Sequence, residues 1–207
     1  MNRAKIELHC HTKMSDRCGL ISPSELVRFA HDNGYNAIAI TDRGNVQAFP
    51  EAFYTWKRLW NEYQKECAAK NVDAAQDGFL KVIYGMEGSL LDDDGQIYSI
   101  LMYAKNSEGI KNLYRIVTES SLRYIDKKKP RIPRSLLNEY RQGIIVGAAC
   151  DGGEVICDIA DGKDDSAVLE AIKYYDFLEI SPFYEWGESL EKICLLGKEG
   201  GKLQIEA

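Results

Sequence analysis

Two histidines separated by one residue, His9 and His11, are the side chains of this sequence best suited to chemistry. They follow a short apolar run that begins at Ile6 and predicts a β-strand. Side chains at positions i and i+2 of a strand point to the same side, so both imidazoles can face one cation. Neutral imidazole is the commonest ligand of transition metals. The spacing favours a metal site, although two hydrogen-bonded polar residues at a strand end would give the same pattern.

Further polar side chains lie in or directly after other predicted strands: Asp42, Arg43, Glu87, Ser99 and Cys150. We expect Glu87 either to bind a metal, or to be a solvated loop residue or an ion-pair partner of Arg43. Cys150 is either a soft ligand or a small buried hydrophobic residue, and the second is the commoner role of a buried cysteine. Ser99, between apolar neighbours, is equally compatible with an ordinary buried hydroxyl. We find no phosphate-binding glycine loop.

These residues can meet only if the chain places several strand ends on one side of a sheet. Apolar runs predict strands at residues 6–9, 37–41, 80–84, 97–104, 144–149, 177–181 and 203–207. Longer amphipathic stretches predict helices between them, and the first helix should begin after Ser22 in a capping box with Glu25. This βα alternation predicts an α/β domain with a mainly parallel sheet, in which functional residues gather at the carboxyl ends of the strands.

Composition narrows the classes of protein to which the chain can belong. Its 207 residues carry 26 Lys and Arg against 32 Asp and Glu, a net charge of −6. This acidity argues against strong binding of nucleic acid by the chain alone. No apolar run is long enough for a membrane span, and no signal peptide is apparent, so we expect a cytoplasmic protein. The six dispersed cysteines, without a CxxC pair, are expected to be reduced.

Two charged segments have separate interpretations. The acidic residues 92–94 precede Gly95 and predict an exposed turn. The basic run at residues 127–131, with Arg134 close behind it, is either a solvated loop or a contact for DNA or another protein domain. With a net charge of −6, such a patch would give weak, salt-sensitive binding.

Longer motifs resemble one known family, the PHP (polymerase and histidinol phosphatase) domains. The opening motifs are HCHT at residues 9–12, AITD at 39–42 and YGME at 84–87. More specific runs resemble the PHP domain of PolC-type DNA polymerase III α subunits. They are VQAFPEA at 46–52, GIKNLY at 109–114, KPRIPRSLL at 129–137, GAACDGGE at 147–154 and YDFLE at 175–179.

The resemblance implies a single PHP domain over residues 1–207, folded as a distorted (β/α)7 barrel with its last strand near residue 207. Active members hold up to three divalent metals at the strand ends and hydrolyse phosphoesters. PolC-type chains carry a proofreading exonuclease inserted in this domain. That insertion is absent here, near residues 92–96.

The resemblance also implies which residues bind metal. His9, His11 and Glu87 fall on family ligands. Arg43 and Ser99 stand where the family has histidines, and Cys18 stands where it has an acidic ligand, with Asp16 nearby. Cys150 stands at a position that is histidine in phosphatase-like members. The family's last Asp-x-His motif would follow residue 207. Asp42 and these substituted positions are expected to line the site, and no catalytic residue is assigned.

From this ligand set we expect at most one divalent metal, zinc or manganese, or none. The main hypothesis is the PHP domain of a replicative DNA polymerase III α subunit, with a degenerate site and a scaffolding role. Its partners would be the other polymerase domains and the exonuclease, with DNA bound only through the parent polymerase and no membrane contact. Enzyme activity of the domain itself is left open. The alternatives are a residual metal-dependent phosphoesterase and a free-standing relative that binds phosphate without hydrolysis.

Overall fold

A computed structural model describes residues 4–16, 18–76, 78–180 and 187–206. The chain divides into two compact units, Met1–Gly85 and Met86–Ala207, which are described separately below. Among the described residues, no helix is long and apolar enough to cross a membrane.

The first unit alternates strands and helices in the predicted order. Its elements are β1 (Ile6–Cys10), α1 (Pro23–Asp32), β2 (Ala37–Ile40), α2 (Phe49–Ala69) and the first half of β3 (Lys81–Leu91). β1 pairs with β2 and β2 with β3, both in parallel, so the carboxyl ends of β1 and β2 lie side by side. The predicted capping box at the start of α1 is confirmed, because Ser22 and Glu25 bond reciprocally to each other's backbone N–H.

The two helices of this unit cover the sheet through small and apolar side chains. Val27 and Ala30 of α1 are buried, as are Phe49 and Ala52 of α2. The Trp56 indole N–H donates to the Leu80 carbonyl oxygen at 2.6 Å, which fixes α2 to the entry of β3. β2 is buried along its whole length, as expected for a central parallel strand.

The second unit contains the rest of β3 and all later elements. They are β4 (Ile97–Ala104), α3 (Ser107–Arg123), β5 (Ile125–Asp126), β6 (Lys129–Pro130), β7 (Ile132–Pro133), α4 (Arg134–Glu139), β8 (Ile144–Ala148), α5 (Glu154–Ala160), α6 (Asp165–Tyr174), β9 (Phe177–Ile180), α7 (Gly187–Glu199) and β10 (Leu203–Glu206). β4 and β8 are antiparallel, whereas β8, β9 and β10 follow one another in parallel. β7 pairs in parallel with the end of β3, and β5 forms a small hairpin with β6.

One predicted boundary is wrong. We expected strand three to end at Gly85 and to leave Glu87 in a loop, but β3 continues to Leu91. Glycine is usually a strand breaker, yet Gly88 lies inside the strand and is closely packed: a Cβ there would lie 2.7 Å from Ile132 Cδ1 and 2.9 Å from Met102 Cε. Glu87 is therefore a buried residue inside a strand.

The acidic turn was predicted correctly only in part. Asp93 and Asp94 are exposed, but Asp92 is half-buried because it pairs with Arg134. The predicted Ser181 end of the β9 strand lies outside the described residues.

Candidate metal centre

His9 and His11 lie at the carboxyl end of β1, as predicted. The pairing of β1 with β2 is irregular between Glu7 and Cys10, and such irregularities commonly redirect a side chain. The two imidazole rings meet edge to face, with centroids 5.0 Å apart and planes at 89°. Both residues are half-buried. Two imidazoles this close present a pair of nitrogen donors from one short segment.

Asp42, at the end of β2, supports the segment that follows the histidines. Its carboxylate is 1 % exposed and accepts three hydrogen bonds. Thr12 donates its backbone N–H at 2.7 Å and its hydroxyl at 2.8 Å, and the Ser15 hydroxyl donates at 2.6 Å. These bonds tie the residue directly after His11 to the neighbouring strand. The contacts of Asp42 are therefore those of a group that positions this segment, and its place in the lining of a metal site stays a prediction.

Arg43 and Cys18, two of the positions expected to depart from the family ligands, contact each other. The Arg43 guanidinium donates through Nη1 to Cys18 Sγ at 3.0 Å, and the Arg43 backbone N–H donates to the Ser15 hydroxyl at 3.0 Å. Both residues are exposed, and so is Asp16. A guanidinium stays protonated and cannot coordinate a cation. Position 43 therefore carries a permanent cation where a metal ligand was weighed.

Cys10, the residue between the two histidines, is half-buried. Burial, together with the nearby carboxylates of Glu7 and Asp42, raises the pKa of the Cys10 thiol to about 12. In the absence of a metal, Cys10 is therefore a neutral thiol at physiological pH, which is the form in which a cysteine behaves as a small hydrophobic group.

Glu87 is the third residue that the sequence predicted as a metal ligand. It is 8 % exposed within β3. Among the described residues, His9, His11 and Glu87 are a set that could hold a metal ion. Two imidazoles and one carboxylate form the donor set of an open zinc site, in which a fourth position is left to water or substrate. The chemistry of these donors fits a divalent ion.

In the second unit, Cys150 and Ser99 lie close together through the backbone. The Ser99 N–H donates to the Gly152 carbonyl oxygen at 2.7 Å, and the Ala149 N–H donates to the Ser99 carbonyl oxygen at 3.3 Å. The Cys150 N–H donates to Glu179 Oε2 at 2.9 Å. Burial and the Glu179 carboxylate raise the pKa of the Cys150 thiol to about 12. Cys150 is therefore a neutral thiol, in line with the hydrophobic role weighed for it.

Sequence reasoning missed an ion-pair cluster centred on Arg134. Its guanidinium donates to Asp92 at 2.6 Å and to Glu154 at 2.9 Å, and it lies 4.4 Å from the centroid of the Tyr174 ring. The Tyr175 hydroxyl donates to the same Glu154 carboxylate at 2.7 Å. Burial beside Glu154 raises the pKa of Tyr175 above its usual range. The partners are 42 and 20 residues away from Arg134, so no local pattern could have indicated them.

Comparison with known proteins agrees with the resemblance found in the sequence. Residues 7–184 match the PHP domain family. The "DNA polymerase III PolC-type" of Clostridium perfringens is 42% identical over 86 residues, and that of Staphylococcus epidermidis is 48% identical over 83. These stretches cover 42% and 40% of this chain and 6% of each relative, so the chain spans a small part of the curated relatives it matches.

Two solved structures share the fold over 99% of this chain. One is a proposed metal-dependent phosphoesterase from Bifidobacterium adolescentis, with a TM-score of 0.55, 15% identity and 87% of that chain covered. The other is an amidohydrolase from Chromobacterium violaceum with bound sulfate and no metal, with a TM-score of 0.54, 13% identity and 87% of that chain covered. At these identities the likeness shows the α/β fold.

Proposed function

Because the chain belongs to the PHP domain family, we propose that it is the PHP domain of a PolC-type replicative DNA polymerase III α subunit. In this proposal it acts in DNA replication as a scaffold in the cytoplasm, and its metal site is reduced. The similarity to the two PolC-type polymerases supports this assignment.

The observation that carries the proposal is the contact between Arg43 and Cys18. By resemblance, these two positions hold a histidine and an acidic ligand in metal-binding members of the family. Here they hold a permanent cation and a thiol that accepts its hydrogen bond. At an effective dielectric constant of about 20, two unit charges 4 Å apart repel by about 4 kcal/mol. A cation placed beside Arg43 would face a repulsion of this order.

The ligand set that remains is His9, His11 and Glu87. We propose that it binds at most one divalent ion, zinc or manganese. A bound ion would act as a Lewis acid toward a phosphate oxygen or a water molecule. The chain's own contribution is positional: Asp42 holds the segment after His11 through three hydrogen bonds, and Arg43 offers a fixed positive charge suited to a phosphate group.

We further propose that residues 1–207 act as one domain whose exonuclease insertion is absent near residues 92–96. The closed turn there supports this. The Asp92 N–H donates to the Gln96 carbonyl oxygen at 2.9 Å, and the Gly95 N–H donates to the Asp92 carbonyl oxygen at 3.0 Å. The partners would be the other polymerase domains and the exonuclease, and DNA would be bound only through the parent polymerase.

A residual metal-dependent phosphoesterase is the second candidate. Its support is the retained imidazole pair and the shared fold with a proposed phosphoesterase. The reaction of an active member needs two ions about 3.5–4 Å apart, and the reduced ligand set argues against this.

An activity assay separates the two candidates. The chain is incubated with p-nitrophenyl phosphate and with a 3′-phosphorylated oligonucleotide, in Mn²⁺ or Zn²⁺, beside the variant H9A/H11A. The scaffold proposal predicts equal, negligible turnover for both proteins. Metal-dependent turnover that H9A/H11A abolishes would instead establish the phosphoesterase. The scaffold is tested positively by adding the chain to a PolC-type polymerase deleted of its own PHP segment, whose melting temperature should rise.

A further inference from the structure

The small hairpin of β5 and β6 has an unusual turn. Lys127 and Lys128 form its two-residue connection, with φ angles of 47° and 67°. Two successive positive φ values define a type I′ turn, which strongly favours Asn-Gly. Side chains with a Cβ adopt this region at a cost in free energy, and lysine offers no local hydrogen bond in return. Lys127 and Lys128 therefore make the turn less stable than Asn-Gly would. A function for their side chains would explain why lysine stands at these positions.

The hairpin concentrates positive charge on an acidic protein. Between residues 122 and 131 five cationic side chains stand against one carboxylate, although the whole chain has a net charge of −6. That carboxylate, Asp126, is paired with Arg131 at 3.4 Å, and Arg123 is paired with Glu119 at 3.0 Å. Lys127, Lys128 and Lys129 are all exposed. The charge that this hairpin offers to a partner is therefore that of three adjacent lysines.

The base of the hairpin is fixed to the second unit, so the lysines have a defined position. The Tyr124 N–H donates to the Ser120 carbonyl oxygen of α3 at 3.1 Å, and the Arg131 N–H donates to the Tyr124 carbonyl oxygen at 2.8 Å. Ile132, directly after Arg131, pairs with Leu90 of β3. A turn held at both ends loses little conformational freedom when its tip binds a partner.

We propose that the tip formed by Lys127, Lys128 and Lys129 binds the phosphate backbone of duplex DNA. Lysine suits this partner because it acts as a point charge toward successive phosphates. Contacts to phosphates carry no sequence information, so we expect this binding to be independent of the DNA sequence. The choice of DNA as the polyanion rests on the proposed function. The site itself does not depend on His9, His11 or Glu87.

The test is the salt dependence of binding to a short fluorescein-labelled duplex, measured by anisotropy on the full chain. Each neutralised phosphate contributes about −0.9 to the slope of log K against log salt, so three lysines predict a slope of about −2.7. The variant K127N/K128G replaces the strained pair with the residues that the turn prefers. It should fold at least as well and yet lower the magnitude of the slope by about 2.

Two controls make the result specific. K57Q/K65Q/K70Q removes three exposed lysines from α2 and its end, and should leave the slope unchanged. K127R/K128R keeps the charge and should also leave it unchanged. A slope near zero for the native chain, or equal losses in the hairpin and α2 variants, would overturn the proposal. Zinc binding, measured on the same proteins, should be equal in all of them. A failure of the DNA-binding proposal can then be told apart from a failure of the proposed metal site.

Discussion

Asp42 in the first unit and Arg134 in the second are both charged groups with most of their surface buried, and they are satisfied in opposite ways. Asp42 accepts from a backbone N–H and two hydroxyls, all within residues 12–15. Arg134 instead joins two carboxylates, Asp92 and Glu154, and the face of the Tyr174 ring.

The difference shows what each cluster does. The donors to Asp42 are neutral and come from one short segment, which directly follows the two histidines. They order that segment and leave the negative charge of Asp42 uncancelled. An ion-pair network cancels charge and joins elements that are distant in sequence: the β3–β4 turn, α4 and the start of α5. The Asp42 hydrogen bonds order the segment that follows the two histidines. The Arg134 ion pairs hold together elements of the second unit. The predictions below test this distinction.

The largest loss of stability is expected when the Arg134 ion-pair network is broken. R134M removes the cation and leaves the buried Glu154 carboxylate with the hydrogen bond that the Tyr175 hydroxyl donates to it. Uncompensated buried charge is costly, and we expect the free energy of unfolding, measured by urea denaturation, to fall by about 3 kcal/mol. The matched control is K192Q, which breaks a surface pair with Asp165. It should change stability by roughly 0.5 kcal/mol or less.

Equal losses of unfolding free energy in R134M and K192Q would show that the Arg134 network does not stabilise the second unit. Zinc affinity should be unchanged in R134M at temperatures where it is folded, because Arg134 is not one of the proposed ligands.

D42N should cost less stability than R134M but should change metal affinity more. In D42N one carboxylate oxygen becomes an NH₂ group that faces an N–H or hydroxyl donor. We expect a destabilisation of about 2 kcal/mol. Because the segment after His11 loses its anchor, zinc affinity measured by calorimetry should also fall, by roughly tenfold or more.

The control for this prediction is D32N, which alters an exposed carboxylate at the end of α1. It should change neither quantity measurably. If D42N weakens stability without changing zinc affinity, the positioning role is wrong and Asp42 is only a structural group.

The smallest effect concerns the thiols and depends on pH. The pKa values of Cys10 and Cys150 are raised to about 12, so the reactive thiolate forms only well above the usual pH range. Their alkylation rates, followed by peptide mass spectrometry, should rise about tenfold per pH unit from pH 8 to 11. An ordinary thiol such as glutathione levels off above about pH 9.

Exposed Cys18 should react fastest of the three at pH 7 because reagent reaches it freely. Rates for Cys10 or Cys150 that level off with glutathione would contradict the burial argument. Added zinc should not protect Cys150 from alkylation, since it is not among the proposed ligands.

Local signals predicted the elements well where the sequence carried strong ones. The Ser22–Glu25 capping box located the start of α1. The alternation of strands and helices gave the α/β class, which the solved relatives confirm. Spacing alone predicted that His9 and His11 would lie together.

The rest depends on packing between distant residues. Gly88 inside β3 lies close to the side chains of Ile132 and Met102, and no neighbour in sequence reveals this proximity. The strands β5, β6 and β7 have two residues each, too few for a periodic pattern. The contacts of Asp42 with Thr12 and of Arg134 with Asp92 exist only after the strands and helices have assembled.

The central claim, a ligand set reduced to His9, His11 and Glu87, is tested most directly by metal stoichiometry. The full chain is saturated with Zn²⁺ or Mn²⁺, passed through gel filtration and analysed by elemental mass spectrometry, beside H9A/H11A and R43H/S99H. Circular dichroism confirms that each variant is folded. We predict at most one equivalent per native chain, none in H9A/H11A, and a higher value in R43H/S99H. Two or three equivalents in the native chain would contradict the account.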